Sequence, residues 1–462
     1  ERKGQKFIVD HIRDESIKSD SSDDESVMVT GIQHPGQPFE IQPVEVQPVE
    51  VQRVEIQPVE IQPVEIQPVE IQPVEIQPVE VQPAEIQSSG FQLDTDITNT
   101  PEISTDPADS NNISVNDVTV EEILLEDAQI RNIVVYRVTL RENLIIEFSD
   151  PHILKTTVVV KVVNERGEVE KGDGRGVFRD VITEFWNQIF ISAAVGASEK
   201  VPTIRHDFQS GEWEAIARVL VYGYIRENYI PIQLSPAFLS LCMFGEGSIS
   251  KSFLVESFKA YLSMGEKEVV NDVLSGKLNP IDEDVLEFLS SYKCFKTPNE
   301  KTFESIIWEL AHQEIIQRPR YIANCWTPIV SILKAYPPLQ SPDNIVNLFS
   351  EKKPNGKKVI KLLDAHPSSE AERACFDHLK RYIRSIEGNI GCFLHFITGS
   401  NIIACEKIAI MFNQLDGKSR RPIAHTCTPS LELSSTYQSY NELAEEFSNV
   451  LRQKSSWEFD IV

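Results

Sequence analysis

The residues with the clearest capacity for chemistry are His425 and Cys427, two positions apart in the stretch RRPIAHTCTPSLEL at 420–433. Residues i and i+2 of an extended chain face the same side, so the two side chains are expected to be neighbours. An imidazole beside a thiol favours the thiolate, the nucleophile of covalent catalysis. Pro429 would end a strand and favour an exposed loop. A lone cysteine is more often a buried structural thiol than a nucleophile, so these two residues by themselves favour the structural interpretation.

The remaining cysteines are interpreted as structural, because most of them lie inside apolar patterns; they are Cys242, Cys294, Cys325, Cys375, Cys392 and Cys405. An odd number without a C-x-x-C pair suits neither a disulfide framework nor a zinc site. The nine histidines show no H-E-x-x-H spacing, and GKS at 417–419 lacks the glycine of a P-loop. We therefore expect no metal and no cofactor. Free thiols predict a reducing compartment, the cytoplasm, the nucleus or both.

Charge is concentrated at the start of the chain. Residues 1–118 carry 24 acidic and 6 basic side chains, a net charge of −18, which leaves −8 of the total −26 for residues 119–462. This balance argues against a nucleic-acid binder, which needs a basic surface. No run of 18 apolar residues is present, so we expect no membrane partner. The sequence begins at Glu1 rather than at a methionine, and we expect further residues upstream.

Residues 40–87 repeat the pentapeptide EIQPV, with glutamate at every fifth position from Glu40 to Glu85. Proline occupies the fourth position of every complete repeat except one, where Arg53 stands, and this spacing forbids a helix and removes donors from a strand. An odd period also moves the apolar side chains from one face of a strand to the other. We predict that residues 1–118 form a disordered acidic tail. Two interpretations of the repeat stay open: a spacer without a binding role and a multivalent ligand for a partner.

Globular patterning begins near Val120. Residues 132–148 predict a strand or strand pair, and residues 155–163 predict a second β-branched strand. Apolar residues then recur at helical spacing, and this pattern continues through most of the chain to about residue 352. A Pro-Asn-Gly turn at 354–356 predicts a hinge between two lobes.

Beyond this turn the pattern is mixed. Residues 371–386 predict a helix, residues 391–400 (GCFLHFITGS) a strand running into a turn, and residues 406–414 another strand. Ser439 and Glu442 match a capping box, and the helix after them is expected to bury one face. That face consists of Leu443, Phe447, Val450 and Leu451.

Three segments in this order resemble the C-lobe of HECT-type ubiquitin ligases: FLHFITGS at 393–400, RRPIAHTCTPSLELSSTY at 420–437, and a helix followed by a tail with phenylalanine fourth from the end. The family pattern has F-x-T-G-[ST], then P-x-[AS]-H-T-C, then such a tail. GDGRGVFRDVITEFW at 172–186 is similar to the N-lobe motif D-x-G-G-x-x-R-E. The resemblance covers roughly residues 130–462 and is greatest with a divergent branch of the family.

The resemblance implies an α+β fold with a bilobal HECT-like domain. A mainly helical N-lobe at 119–353 would bind an E2 ubiquitin-conjugating enzyme, through a subdomain within 235–320. A smaller α/β C-lobe would follow the hinge at 357–462. Its partners would be ubiquitin, the E2 and a protein substrate.

The same resemblance implies the residue roles. Cys427 would carry ubiquitin as a glycyl thioester and pass it to substrate lysines. His425 and Thr426 would shape its surroundings, Phe459 would dock to position the C-lobe, and Asp173 would orient an incoming lysine.

The sequence departs from the family at three points. Arg175 replaces the first glycine of the N-lobe motif, Asp180 replaces its glutamate, and LELSSTY lacks the family proline. These changes concern how the lobes dock rather than the nucleophile. The alternative function is a catalytically inactive HECT-like scaffold. A cysteine protease is disfavoured, because such enzymes place the histidine far from the cysteine in the chain.

Overall fold

The structure is a computed structural model that describes residues 129–172, 174–453 and 457. The acidic tail at 1–118 and its repeat lie outside the described residues, as do Asp173 and Phe459. The described residues are mixed α and β and mainly helical. Among them, no helix combines the length and apolar character needed to cross a membrane.

The helices are α1 (Leu140–Phe148), α2 (Arg175–Ser192), α3 (Ser210–Glu227), α4 (Pro236–Phe244), α5 (Lys251–Tyr261), α6 (Met264–Leu274), α7 (Glu283–Ser291), α8 (Phe303–His312), α9 (Arg320–Val330), α10 (Pro342–Lys352), α11 (Gly356–Leu362), α12 (Glu370–Ser385), α13 (Ile390–Thr398) and α14 (Tyr440–Arg452). The strands are β1 (Ile130–Tyr136), β2 (Thr157–Val163), β3 (Ala194–Val195), β4 (Val201–Pro202), β5 (Leu363–Ala365), β6 (Ile408–Asn413), β7 (Ile423–His425) and β8 (Ser430–Ser434).

Only the first part of the segment at 132–148 forms a strand. The strand predicted at 155–163 is confirmed as β2, and β1 pairs with it in parallel. β1 ends at Tyr136, however, and α1 follows from Leu140. The prediction of strand for its second half was wrong. The buried residues there recur at helical spacing: Leu140, Leu144, Ile145 and Phe148. This period of three to four residues places them on one helix face.

The buried apolar residues form two clusters. The large core contains residues from β1 to α10, together with Ile402. Its helices follow the predicted periodicity, most clearly in α2, where five apolar residues at helical spacing are each at most 1% exposed: Val181, Ile182, Phe185, Trp186 and Ile189. Three tryptophans fill its centre: Trp186, Trp213 and Trp326.

The small core lies between a four-stranded sheet and the helices α12, α13 and α14. The strand order is β5-β6-β8-β7, with β7 antiparallel to β8 and the other pairs parallel. The strand predicted at 406–414 and the helix predicted at 371–386 are confirmed as β6 and α12. All the described residues belong to one compact unit.

The prediction of a strand at 391–400 was wrong, because this segment forms α13. Its buried residues Ile390, Phe393, Leu394 and Ile397 recur at helical spacing. Gly399 ends the helix in the left-handed conformation, with φ of 73°, and its N–H donates to His395 O. Glycine adopts this conformation without a Cβ penalty, so the Thr-Gly-Ser sequence acts as a helix C-cap.

At α14, the predicted apolar face is buried as expected. Ser439 caps the helix by accepting from the N–H of Glu442. The Glu442 carboxylate accepts from the N–H of Gln438 at 2.8 Å, one residue before the cap, and the Ser439 N–H contributes a weaker bond to it.

The Pro-Asn-Gly segment at 354–356 connects α10 to α11. The Asn355 side chain accepts from the N–H of Lys358 at 2.8 Å and caps α11. Gly356 donates its N–H to Glu387 Oε2 at 3.0 Å. The segment joins the elements of the two cores, and its role as a hinge stays a prediction.

Candidate active site

Cys427 lies in the four-residue turn 426–429 that joins β7 to β8. The last pair before the turn is His425 with Ser430. Pro429 ends the turn, and its carbonyl accepts from the N–H of Ala409 on β6 at 3.0 Å. All seven cysteines are described, and Cys427 alone is exposed. The thiol is therefore accessible to solvent, and the paired strands on either side fix the position of its turn.

The other thiols differ from Cys427 by their burial. Cys242 and Cys375 are buried, while Cys294, Cys325, Cys392 and Cys405 are half-buried. Burial raises the pKa of the Cys242 thiol well above its ordinary value, which keeps that thiol protonated. It also raises the pKa of Cys405. Such thiols are poor nucleophiles, whereas Cys427 is open to an incoming acyl group.

The imidazole of His425 is paired with a carboxylate. His425 Nε2 lies 2.9 Å from Glu432 Oε1 on the facing strand β8, and Asn413 Nδ2 donates to Glu432 Oε2 at 3.3 Å. Cys427 lies in a turn, where the i, i+2 relation of an extended strand no longer applies. His425 therefore forms a histidine–carboxylate pair that braces the hairpin.

Two glycines allow this turn to approach the N-terminus of α2. A Cβ atom on Gly174 would lie 2.3 Å from Cys427 Sγ, and one on Gly176 would lie 2.1 Å from Thr426 Oγ1. At Gly176 a Cβ would also lie 2.5 Å from the backbone carbonyl carbon of Thr426, so only glycine fits there, whereas at Gly174 a Cβ would force the Cys427 side chain to turn away. The N-terminus of an 18-residue helix carries partial positive charge, which favours negative charge developing on reacting atoms beside it.

Arg179 of α2 bonds directly to the backbone of the turn. Its Nη2 donates to Thr426 O at 2.9 Å and lies 3.5 Å from Cys427 O. Arg179 Nε lies 3.3 Å from Glu227 Oε2, and both side chains are buried. Arg175 Nε donates to the other oxygen of Glu227 at 3.1 Å. Burial raises the pKa of Glu227, and the charges of the two arginines oppose that rise.

These contacts explain how arginine can occupy position 175, where the similar motif has a glycine. The side chain of Arg175 is 72% exposed and turns to Glu227, whereas the residues on either side of it, Gly174 and Gly176, face the turn. The turn packs against Gly174 and Gly176, so the arginine at position 175 does not obstruct it.

A second polar bridge joins α2 to α13. His395 Nε2 lies 2.7 Å from Asp180 Oδ1, and Arg137 Nη1 donates to Asp180 Oδ2 at 2.6 Å. Burial alone would raise the pKa of Asp180, but the hydrogen bond from His395 and the charge of Arg137 lower it below its ordinary value. Thr183 Oγ1 donates to Gly399 O at 3.0 Å in the same interface. Asp180 of α2 thus holds a histidine of α13.

A cleft of about 610 Å³ opens beside this bridge. Arg137, Asp180, His395 and Trp457 are among its lining residues. The Trp457 ring meets the His395 ring edge-on at 5.7 Å, and its Nε1 donates to Val450 O at 2.9 Å. Phe459, two residues further along the chain, lies outside the described residues, as does Asp173.

The sequence predicted Cys427, Thr426 and His425 as site residues, but it did not predict Arg179 or Glu227. The available signal for Arg179 was its position as the arginine of the motif at 172–186. No pattern in the sequence points to Glu227, at the end of α3. Among the described residues, no group of three or more metal-ligating side chains is present.

These contacts describe an accessible thiol whose turn is fixed from one side by two glycines and an arginine. Such a thiol can form and release a covalent acyl intermediate. No protein-family model and no curated protein matches the chain.

Proposed function

We propose that the chain is a HECT-type ubiquitin ligase that accepts ubiquitin from an E2 on Cys427 and transfers it to lysine. The observation that carries the proposal is the position of Cys427. It is the exposed cysteine of the chain, and its turn packs against the N-terminus of α2. The motifs at 172–186, 393–400 and 420–437 supply the family resemblance.

The reaction would proceed in two acyl transfers. The Cys427 sulfur attacks the carbonyl carbon of the E2–ubiquitin thioester, and the E2 thiol leaves with a proton. A lysine amine then attacks the new thioester. The C–S bond breaks, an isopeptide bond forms, and the proton released by the amine returns the Cys427 sulfur to a thiol. Neither step requires an oxidant, a metal or a cofactor.

The surface proposed for the E2 lies within 235–320. Here α6, α7 and the loops after them expose several large apolar side chains: Met264, Leu274, Ile281, Leu286 and Phe295. Phe295 is 85% exposed. Exposed apolar side chains grouped in one subdomain are typical of a protein-binding surface.

The test is formation of a thioester. The full chain is incubated with activating enzyme, a panel of E2 enzymes and labelled ubiquitin, and a thiol-sensitive adduct is expected for the wild type. Cys427→Ala should abolish the adduct, Cys427→Ser should give a thiol-resistant ester, and Cys392→Ser should leave the adduct unchanged. An adduct that survives Cys427→Ala would contradict the assignment. Binding of E2 or ubiquitin without any adduct would instead support the inactive scaffold.

A further inference from the structure

The strand β1 has an open edge. β1 and β2 form a two-stranded sheet, so each has one strand neighbour within the part of the chain that the structure describes. The outer edge of β2 is occupied, because the N–H of Val158 donates to Tyr222 Oη at 2.8 Å and Val162 O accepts from the N–H of Glu170 at 2.9 Å. No residue role assigned above involves the outer edge of β1.

Hydrogen bonds at the two ends of β1 show which of its backbone groups point outward. Gln129 O accepts from the N–H of Thr157 on β2 at 3.0 Å, whereas the N–H of Tyr136 donates to Asn143 Oδ1 of α1 at 2.9 Å. Backbone groups alternate between the two sides of a strand, so the even-numbered residues of β1 direct theirs away from β2. Three of these residues have no backbone hydrogen-bond partner among the described residues: Ile130, Asn132 and Val134.

This edge is accessible to solvent. Ile130 is 64% exposed, Val134 is 48% exposed, and Asn132 between them is also exposed. Backbone polar groups without a protein partner face water in a folded protein, since burying them unpaired costs free energy. The edge therefore presents accessible N–H and C=O groups beside an outer side-chain surface that carries no charge.

The edge also lacks the features that usually protect an exposed strand, which are lysine, proline or a bulge. The sequence of β1, IRNIVVY, contains no lysine and no proline, and its register with β2 runs without a bulge. Its one charged side chain, Arg131, is paired with Glu147 and Asp150. An unprotected edge of this kind is suited to pairing with another strand.

We propose that β1 pairs with β1 of a second copy of this chain, antiparallel about a twofold axis at Asn132. The outer face is self-complementary about this residue: Ile130 of one copy lies opposite Val134 of the other, and Asn132 lies opposite its own equivalent. Cross-strand apolar pairs stabilise a sheet, and an asparagine amide can both donate to and accept from a second one. A twofold interface uses the same patch on both copies, as this sequence allows.

The charges beside the edge are compatible with this pairing. Lys161 of β2 lies opposite Val134 in the register of the sheet and is exposed. The two copies of Lys161 would be three strand spacings apart, at least about 14 Å, which exceeds the Debye length of about 8 Å at physiological salt. Few residues pair, so we expect a weak dimer that forms with rising concentration. This inference does not depend on the proposed function.

Sedimentation equilibrium of the full chain measures the dimer. We expect the mass to rise from 52.3 kDa towards twice this value with increasing concentration. Asn132→Pro should weaken the dimer about five- to 150-fold, because the twofold axis removes two hydrogen bonds at once. Proline is tolerated where the N–H of an edge strand faces solvent, and an unchanged melting temperature checks that the variant folds.

Val134→Lys places a protecting lysine on the edge and should also weaken the dimer. Ile204→Lys is the matched control, since Ile204 is an exposed apolar residue outside β1. A mass of 52.3 kDa at every concentration would overturn the inference and leave the edge to a foreign strand. A dimer that both β1 variants leave intact would also overturn it, because the interface would then lie elsewhere.

Oxidative cross-linking tests the register. Each cysteine is introduced in the Cys427→Ala background, which removes the exposed native thiol. Asn132→Cys should give a covalent dimer, because directly opposed, hydrogen-bonded residues have Cα atoms about 5.5 Å apart, within the range of a disulfide. Lys161→Cys, at least about 14 Å from its equivalent, should not. Equal cross-linking of the two variants would overturn the twofold axis at Asn132.

Discussion

The guanidinium of Arg179 donates a hydrogen bond of 2.9 Å to the carbonyl oxygen of Thr426, which lies 247 residues away in the chain. This contact fixes the backbone immediately before Cys427 from the side of α2. Glu227 fixes Arg179 in turn, through a buried ion pair of 3.3 Å. Under the proposed function, Arg179 and Glu227 act as positioning residues, since both fix the turn and neither is required to touch the reacting atoms.

Replacement of Arg179 by lysine should slow thioester formation on Cys427 about five- to thirtyfold. Lysine keeps the charge but loses the planar fork that holds Glu227 and Thr426 together, and one or two hydrogen bonds to a charged group are lost. Single-turnover loading is the measurement. The melting temperature and the alkylation of other thiols serve as structural controls. A loading rate equal to that of the wild type would exclude a positioning role for Arg179.

Gly176→Ala should separate the turn of Cys427 from α2, because the new Cβ would lie 2.1 Å from Thr426 Oγ1 and 2.5 Å from the Thr426 carbonyl carbon. We expect faster alkylation of Cys427 by iodoacetamide and a clear loss of ubiquitin loading. Gly211→Ala is the matched control, since its Cβ would meet nothing within 4 Å. If both variants alkylate at the same rate, the close approach of the turn to α2 does not exist in solution.

Phe295→Ala should weaken loading by the E2 without changing the chemistry of Cys427. Removal of an exposed aromatic anchor from a protein interface typically costs about 1–3 kcal/mol, which is about five- to 150-fold in affinity. The expected result is a higher E2 concentration for half-maximal loading and an unchanged rate of alkylation. Ile204→Ala, also an exposed apolar residue but outside 235–320, should have no effect. A shift of equal size in both variants would place the E2 elsewhere.

Local periodicity accounts for what the sequence predicted well. The apolar spacing in α2 and α14 identified their buried faces, because a helix face is encoded within a few residues. The same reasoning failed at α13, where five of the six residues from 392 to 397 are apolar and strand and helix patterns overlap. The contact between Arg179 and Thr426 and the pairing of Glu227 depend on how the two cores meet. No local pattern encodes that contact, and it became visible only in the folded chain.

His395→Ala should destabilise the contact between the cores, because it removes one of the two side chains that bond to the buried Asp180 among the described residues and leaves Arg137 in place. Breaking a buried pair from one side costs up to about 3–5 kcal/mol, and the remaining arginine should keep the loss near the lower end. Chemical denaturation measures the loss. His366→Ala is the control, since the His366 side chain is 90% exposed. Equal stability of the two variants would show that the Asp180–His395 pair contributes nothing to the fold.

The stability of the large core should depend on pH through Glu199, whose pKa burial raises from its ordinary value to about 7. Ser257 donates a hydrogen bond to this carboxyl, and the charges of Lys353 and Lys267 oppose the rise. Because the folded chain holds the proton more tightly than the unfolded chain, the contribution of Glu199 is complete below about pH 4.5 and is lost as the pH rises through about 7. Glu199→Gln mimics the neutral form at every pH. The free energy of unfolding of the wild type should therefore fall below that of the variant by up to about 3 kcal/mol between about pH 5 and pH 8. Parallel denaturation curves for the two proteins across this range would show that Glu199 titrates normally.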